Sequence, residues 1–177
     1  MLNNKCRDFL IFKNNHKSVG RRLVLFFKKK RKPLKYWIKF DIDCEYKTKD
    51  PKNQKDINKL FGYSFGFHHK NSVRFGWRFN GEELEIVSYV YRDGKRVNEW
   101  DENIYIGNIE CGKKYLFEIK MDDGKYFLSI RDEKHNLIGI NYLNHGKKLF
   151  PIGYHLWPYF GGNEKAPKDF MFKICKP

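Results

Sequence analysis

Hydrophobic and polar positions alternate with a period of two along most of the chain. Tyr36, Ile38, Phe40, Ile42, Cys44 and Tyr46 share one side of an extended segment, and Lys39, Asp41, Asp43 and Glu45 share the other. This alternation predicts a half-buried β-strand, because successive side chains of an extended backbone point to opposite faces. The pattern recurs. Phe61, Tyr63, Phe65 and Phe67 alternate with Gly62, Ser64, Gly66 and His68, and Val73, Phe75, Trp77 and Phe79 alternate with Ser72, Arg74, Gly76 and Arg78. Further strands are predicted over 84–91, 114–120, 126–131, 137–142, 154–160 and 170–175. Turn-forming runs separate them, among them Asn80-Gly81, Asp93-Gly94, Asp123-Gly124 and Gly161-Gly162-Asn163. Asp-Gly between alternating runs is a strong hairpin signal. Strands at this spacing predict an all-β fold, a β-sandwich or jelly roll of two packed antiparallel sheets.

Composition agrees. The 177 residues suit one domain, and alanine occurs once, at Ala166, which argues against long helices and coiled coils. Charge adds something the alternation does not show. Lys and Arg number 36 against 21 Asp and Glu, a formal net charge of +15. Residues 1–35 carry 12 basic residues and one acid, a net +11, whereas 36–177 carry a net +4. The sequence therefore divides into a basic N-terminal segment, 1–35, and a β-sandwich domain, 36–177. The densest run, Lys28-Lys29-Lys30-Arg31-Lys32, reads either as a solvated loop or as a patch that docks on nucleic acid or an acidic partner. No signature of a sequence-specific nucleic-acid module accompanies it.

No apolar run approaches the roughly 20 residues of a transmembrane helix, and no secretory leader is recognisable, so no membrane partner is expected. Cysteines stand at 6, 44, 111 and 175 without a C-x-x-C pair. That spacing excludes a zinc knuckle, and the cysteines are expected reduced, with Cys44 a buried thiol. The expected location is cytoplasmic, or the virion if the protein is phage-encoded.

The candidate chemistry centres on residues 60–79. If the two strands pair through the turn at 68–71, one face is wholly apolar and the other carries Gly62, Ser64, Gly66, Arg74, Gly76 and Arg78. Glycine inside a strand often marks the close approach of a ligand. Two guanidinium forks above such a floor would suit carboxylate or phosphate. The other reading is twist-permitting glycines, with the arginines paired to acids on a neighbouring strand. His68 and His69 would edge the turn and the groove; adjacent positions are poor metal spacing, and no metal or cofactor is expected. Along 153–167, alternation places Tyr154, Leu156 and Phe160 inward and leaves His155, Trp157 and Tyr159 on the opposite side. There they would form an aromatic rim for a sugar or base.

Catalytic patterns are sparse. Glu83 and Glu85 share a face of one predicted strand, but Glu85 stands where a Glu-x-Asp-x-Glu strand of concanavalin-like glucanases carries its Asp, and Val87 where it carries its third acid. Alginate-lyase-like jelly rolls combine an arginine strand with a Gln-x-His strand, and the one glutamine here, Gln54, lies in a polar loop.

Three stretches carry a resemblance: Asp56-Ile57-Asn58-Lys59-Leu60-Phe61-Gly62, His68-His69-Lys70-Asn71-Ser72-Val73-Arg74-Phe75-Gly76-Trp77, and Tyr159-Phe160-Gly161-Gly162-Asn163-Glu164-Lys165-Ala166-Pro167. Over about 36–175 the chain resembles a β-sandwich family of gut anaerobes and their phages, concanavalin A-like in outline. The resemblance implies that fold and no established activity. The expected function is a non-catalytic module that binds a glycan or other anionic ligand, alone or as a homo-oligomer. A virion-associated structural protein and a polysaccharide lyase or hydrolase with a rearranged site are the alternatives.

Overall fold

The computed structural model describes residues 6–30, 32–98 and 102–177, with Lys30 described for its backbone alone. The strands are β1 (Cys6–Ile11), β2 (Leu25–Phe27), β3 (Leu34–Phe40), β4 (Asn58–Phe65), β5 (Ser72–Phe79), β6 (Leu84–Arg92) and β7 (Lys95–Arg96). They continue with β8 (Tyr105–Ile109), β9 (Lys114–Asp122), β10 (Lys125–Arg131), β11 (Leu137–Asn144), β12 (Ile152–Leu156) and β13 (Phe170–Cys175). Two antiparallel sheets result. One runs β1-β13-β3-β9-β10-β11; the other runs β2-β12-β4-β5-β6-β7, with β8 also on β6. The all-β, two-sheet antiparallel β-sandwich expected from the alternation is the observed fold.

Aromatic residues fill the space between the sheets. Phe61, Phe75 and Trp77 of the seven-stranded sheet are fully buried, as are Phe40, Phe117 and Phe172 of the six-stranded one. They meet edge to face: Phe75 and Phe117 have centroids 5.0 Å apart, Phe40 and Trp77 5.5 Å. This geometry sets ring edges against ring faces and is favoured beyond simple burial. Each inward side chain lies opposite another inward one across the ladder, as in the Tyr63–Val73 and Val73–Val90 pairings.

Several expectations are corrected. Residues 6–11 and 25–27, set apart as part of the basic segment, supply β1 to one sheet and β2 to the other, so both sheets draw on that segment. Ile42 was expected inward and is 81% exposed. The Asp41 carboxylate accepts the Ile42 N–H (2.8 Å), which replaces a ladder bond and turns the backbone outward after β3. Phe67 was also expected inward and is 84% exposed. Gly66, at φ +77°, takes up the left-handed conformation and ends the alternation one residue earlier. The cysteines are not free thiols: Cys6 is bonded to Cys175, and Cys44 to Cys111. Cys6 and Cys175 stand directly opposite on β1 and β13, a juxtaposition that linear spacing cannot reveal. Cys44 is buried as expected.

Candidate functional site

The outer face of the seven-stranded sheet carries a groove of about 680 Å³, within the size range of ligand sites. Pairing fixes its floor. Arg74 on β5 lies between Gly62 of β4 and Tyr89 of β6, and Ser72 lies beside Tyr91. On the other flank Tyr154 of β12 pairs with Ser64. Gly62 is required by the close approach of the β5 backbone, the Val73 carbonyl standing 1.9 Å from where its Cβ would be, and tyrosines on β6 and β12 make the walls.

Two returning segments close the ends. Residues 157–162 cross β4 where Lys59 and Tyr159 exchange backbone hydrogen bonds (2.8 and 2.9 Å) and Gly161 N–H donates to the buried Asn58 Oδ1 (2.7 Å). The chain after β1 lies along this crossing. Ser18 Oγ donates to the Pro158 carbonyl (2.8 Å) and Trp157 Nε1 to the Arg22 carbonyl (2.6 Å), which brings Lys17, Arg21 and Arg22 to the groove.

The electrostatics are one-sided. Lys17, Arg21, Arg22, Lys59 and Arg74 line the groove together with His68, His69 and His155, and no carboxylate lines it among the described residues. Arg74 is 8% exposed, and its Nε is buried with no hydrogen-bond partner among the described residues. Burial depresses its pKa, an effect partly offset by the hydroxyls of Tyr89, Tyr154, Tyr91 and Tyr159. A buried cation without a counter-charge is costly and is ordinarily paired. Lys59 is lowered to about 8, by burial first and then by Arg74 and Arg96. Its ammonium sits 4.7 Å from the Tyr89 ring centre and 5.7 Å from that of Tyr159.

The histidines divide. His68 is lowered to about 4 by burial, Arg74 and His69, and its Nδ1 lies 3.4 Å from the Tyr154 hydroxyl. His69 stacks on Tyr91 at 5.0 Å. Both imidazoles line the groove, where one of them was expected at the turn. His155, half-buried at the inner edge of the groove, is lowered to about 4, chiefly by burial, and packs against Tyr63 (5.5 Å).

The expected rim of His155, Trp157 and Tyr159 is therefore corrected. Pairing places His155 opposite Tyr63, an inward residue, and Tyr154 opposite Ser64, an outward one, so the parity of β12 is the reverse of the expectation. Trp157 borders the groove but is buried and stacks on Phe9 (5.1 Å). Tyr159 also lines the groove, stacked on His16 at 5.4 Å.

Arg78 is not part of this site. Its Nε donates to Glu85 Oε2 at 2.7 Å, and it borders separate depressions. Burial of Glu85 works toward a higher pKa, but the hydrogen bonds from Arg78 and Asn80 hold its carboxyl below the usual value. Glu83 is engaged by Asn108. The two glutamates are thus committed to neighbours and do not form a free acid pair. Among the described residues no cluster of His, Cys, Asp and Glu is arranged to hold a metal.

The basic run is a link rather than a tail. Lys28–Lys30 form a 3₁₀ turn between β2 and β3; Lys32 lies at the end of that link, and Arg31 lies outside the described residues. The sequence reading missed Lys59, Tyr89, Tyr91 and Tyr154, together with Lys17, Arg21 and Arg22. Tyr89 and Tyr91 had a legible signal, since they continue the face of Glu85 and Val87 along β6.

The sequence matches no family profile and no curated protein. Solved structures show similarity of fold. An alginate lyase from Klebsiella pneumoniae superposes with a TM-score of 0.58 at 11% identity, over 81% of this chain and 56% of the lyase chain. A functionally unknown protein from Saccharomyces cerevisiae superposes at 0.51 and 7% identity, over 94% of this chain and 78% of that one. The chain thus spans little more than half the length of the lyase. At these identities the likeness concerns the sandwich fold alone.

Proposed function

We propose that the groove on the seven-stranded sheet binds an anionic glycan. The observation that carries this reading is Arg74: a buried guanidinium with no counter-charge, on the floor of a groove lined by cations and tyrosines. A carboxylate or sulfate of the ligand would supply the missing partner through paired N–H donors. Tyr89, Tyr91 and Tyr159 add aromatic and hydroxyl surface against which a sugar could pack. The likeness of fold to an alginate lyase, whose named substrate is an acidic polysaccharide, accords with this choice. The two disulfides suit an oxidising compartment, where such a polymer would be met.

Calorimetric titration with oligouronates and with neutral glucan oligosaccharides tests the reading. The expected result is saturable binding of the oligouronate alone, weakened about 30-fold in Arg74→Met, which corresponds to about 2 kcal/mol for a charged hydrogen-bonded contact. Equal affinity for the neutral oligosaccharide, or an Arg74→Met variant that binds as the parent does, would overturn it.

One observation favours a second reading. The neutral His68 ring and the Tyr154 hydroxyl stand 3.4 Å apart beside Arg74. With Arg74 neutralising a uronate carboxylate, the adjacent C–H is acidified and His68 would take that proton. Tyr154 would protonate the departing glycosidic oxygen as the C–O bond breaks and a C=C bond forms. Ultraviolet absorbance of unsaturated ends in a polyuronate digest would establish it, and binding without any rise in absorbance would leave the groove a receptor.

A further inference from the structure

One corner of the seven-stranded sheet exposes apolar side chains from three separate segments. Leu23, Leu25, Phe27, Phe67, Phe150 and Ile152 range from 42% exposed at Ile152 to 84% at Phe67. They are neighbours in space. Phe27 pairs with Ile152 across β2 and β12, and Leu25 pairs with Tyr154. Phe150 lies against Gly66, the residue before Phe67 (3.4 Å from the position of a Cβ there). Tyr154 reaches His68 in the same turn, and Leu23 lines the groove beside both.

Lysines frame this corner. Lys28 N–H donates to the Pro151 carbonyl (2.8 Å), which holds the start of the basic turn against Ile152, and Lys29 follows it. Lys70 N–H donates to the Phe67 carbonyl (2.8 Å), and the Lys148 carbonyl accepts from Asn71 (3.3 Å). Asp93 borders the corner as well, its carboxylate accepting the Lys147 N–H at 3.1 Å. Lys29, Lys70 and Lys148 are exposed.

We infer that this corner seats on an anionic lipid surface. Exposed aromatic and aliphatic side chains gathered from loops and an edge strand mark an interaction site. Here the apolar centre suits the acyl boundary, and exposed lysines on the segments that border it would carry their ammonium groups to the phosphates. Charge decides between lipid and a second copy. Two copies of a chain carrying +15, meeting through this corner, would set lysine against lysine. An anionic bilayer satisfies both parts of the surface at once. The groove opens beside the corner, so a seated molecule would hold its glycan site at the membrane.

Co-sedimentation of the full chain with vesicles tests the inference, using phosphatidylcholine alone and phosphatidylcholine mixed with an equal part of phosphatidylserine. The expected result is partition onto the mixed vesicles and at least about tenfold weaker partition onto phosphatidylcholine, since each lysine near an anionic surface contributes about fivefold. Phe27→Ser/Phe67→Ser should weaken partition by about tenfold or more with an unchanged melting temperature, because both side chains are already in water. Lys28→Gln/Lys29→Gln should weaken it with a reduced salt dependence. Absence of partition at low salt would overturn the inference. So would partition that the phenylalanine substitutions leave unchanged, with duplex DNA bound equally well, since a cationic chain does that without an apolar seat. Self-association abolished by Phe27→Ser in the absence of lipid would reassign the corner to a second copy.

Discussion

Arg74 and Arg78 stand four residues apart on β5, on one face of one strand, and their surroundings differ completely. Arg78 is held by Glu85 of β6 at 2.7 Å. Arg74 has tyrosines where Arg78 has a glutamate: its partner across the same strand pair is Tyr89. Between them lies Gly76, and Ile57 covers it so closely that a Cβ there would stand 2.4 Å from Ile57 Cγ2. Ile57, just before β4, thus divides one sheet face into an ion-paired surface and a cationic recess. Identical residues on identical backbone acquire a structural role in one case and an unmet charge in the other. An unmet buried charge points more strongly to a ligand than an exposed one, because protein folding does not ordinarily leave it so.

The largest effect is expected from removing the partition. Gly76→Val sets a branched side chain against Ile57, Val87 Cγ2 (3.0 Å) and the Asn58 carbonyl (3.2 Å). Overpacking a rigid strand at this level should destabilise the domain by about 3 kcal/mol. Denaturant titration should show the fall in midpoint, and groove affinity should drop with it because Lys59 moves with Ile57. A variant as stable as the parent would mean that Ile57 does not close over Gly76.

The next effect sharpens the comparison by opposite signs. Arg78→Met leaves Glu85 without its guanidinium partner and should cost about 2 kcal/mol, because both side chains of the pair are largely covered. Arg74→Met replaces an unpaired buried cation with an apolar chain of similar length and should stabilise the domain by about 1 kcal/mol. Only the second should impair oligouronate binding. Destabilisation by both substitutions would show that Arg74 has a structural partner after all.

That division explains what was legible in the sequence. The sandwich could be read because alternation is local: each strand declares which side chains it buries, and turn residues mark its ends. Arg74 could be placed on a face for the same reason. Its isolation from Arg78 depends on Ile57 from one segment, and the cationic wall depends on Lys17, Arg21 and Arg22 from another. Neither relation leaves a trace in local spacing. Parity also fails where a strand is short. Residues 154–160 alternate well enough to orient either way, and pairing with β4 decides it. The apolar corner was invisible for a related reason, since no single run contributes enough of it to stand out in hydropathy.

The smallest effect concerns Lys59, the recess's half-buried cation. Its folded pKa of about 8 lies below the ordinary lysine value of 10.5. Between those values the unfolded chain holds a proton that the folded chain has released, so stability should rise with pH through this window. The destabilising contribution is fully present below about 8 and is relieved as pH approaches the unfolded value. Ligand affinity should move the other way. As Lys59 loses its charge above about 8, oligouronate binding should weaken by about fivefold, the worth of one partly screened charge contact. Exposed lysines remain protonated until about pH 10.4, so the step belongs to the recess. Lys59→Met should remove both the rise in stability and the fall in affinity, leaving Arg74 as the charge that holds the ligand across the range. An affinity step near pH 8 that persists in Lys59→Met would move its origin to another group and would separate the binding cation from the one that Tyr89 and Tyr159 enclose.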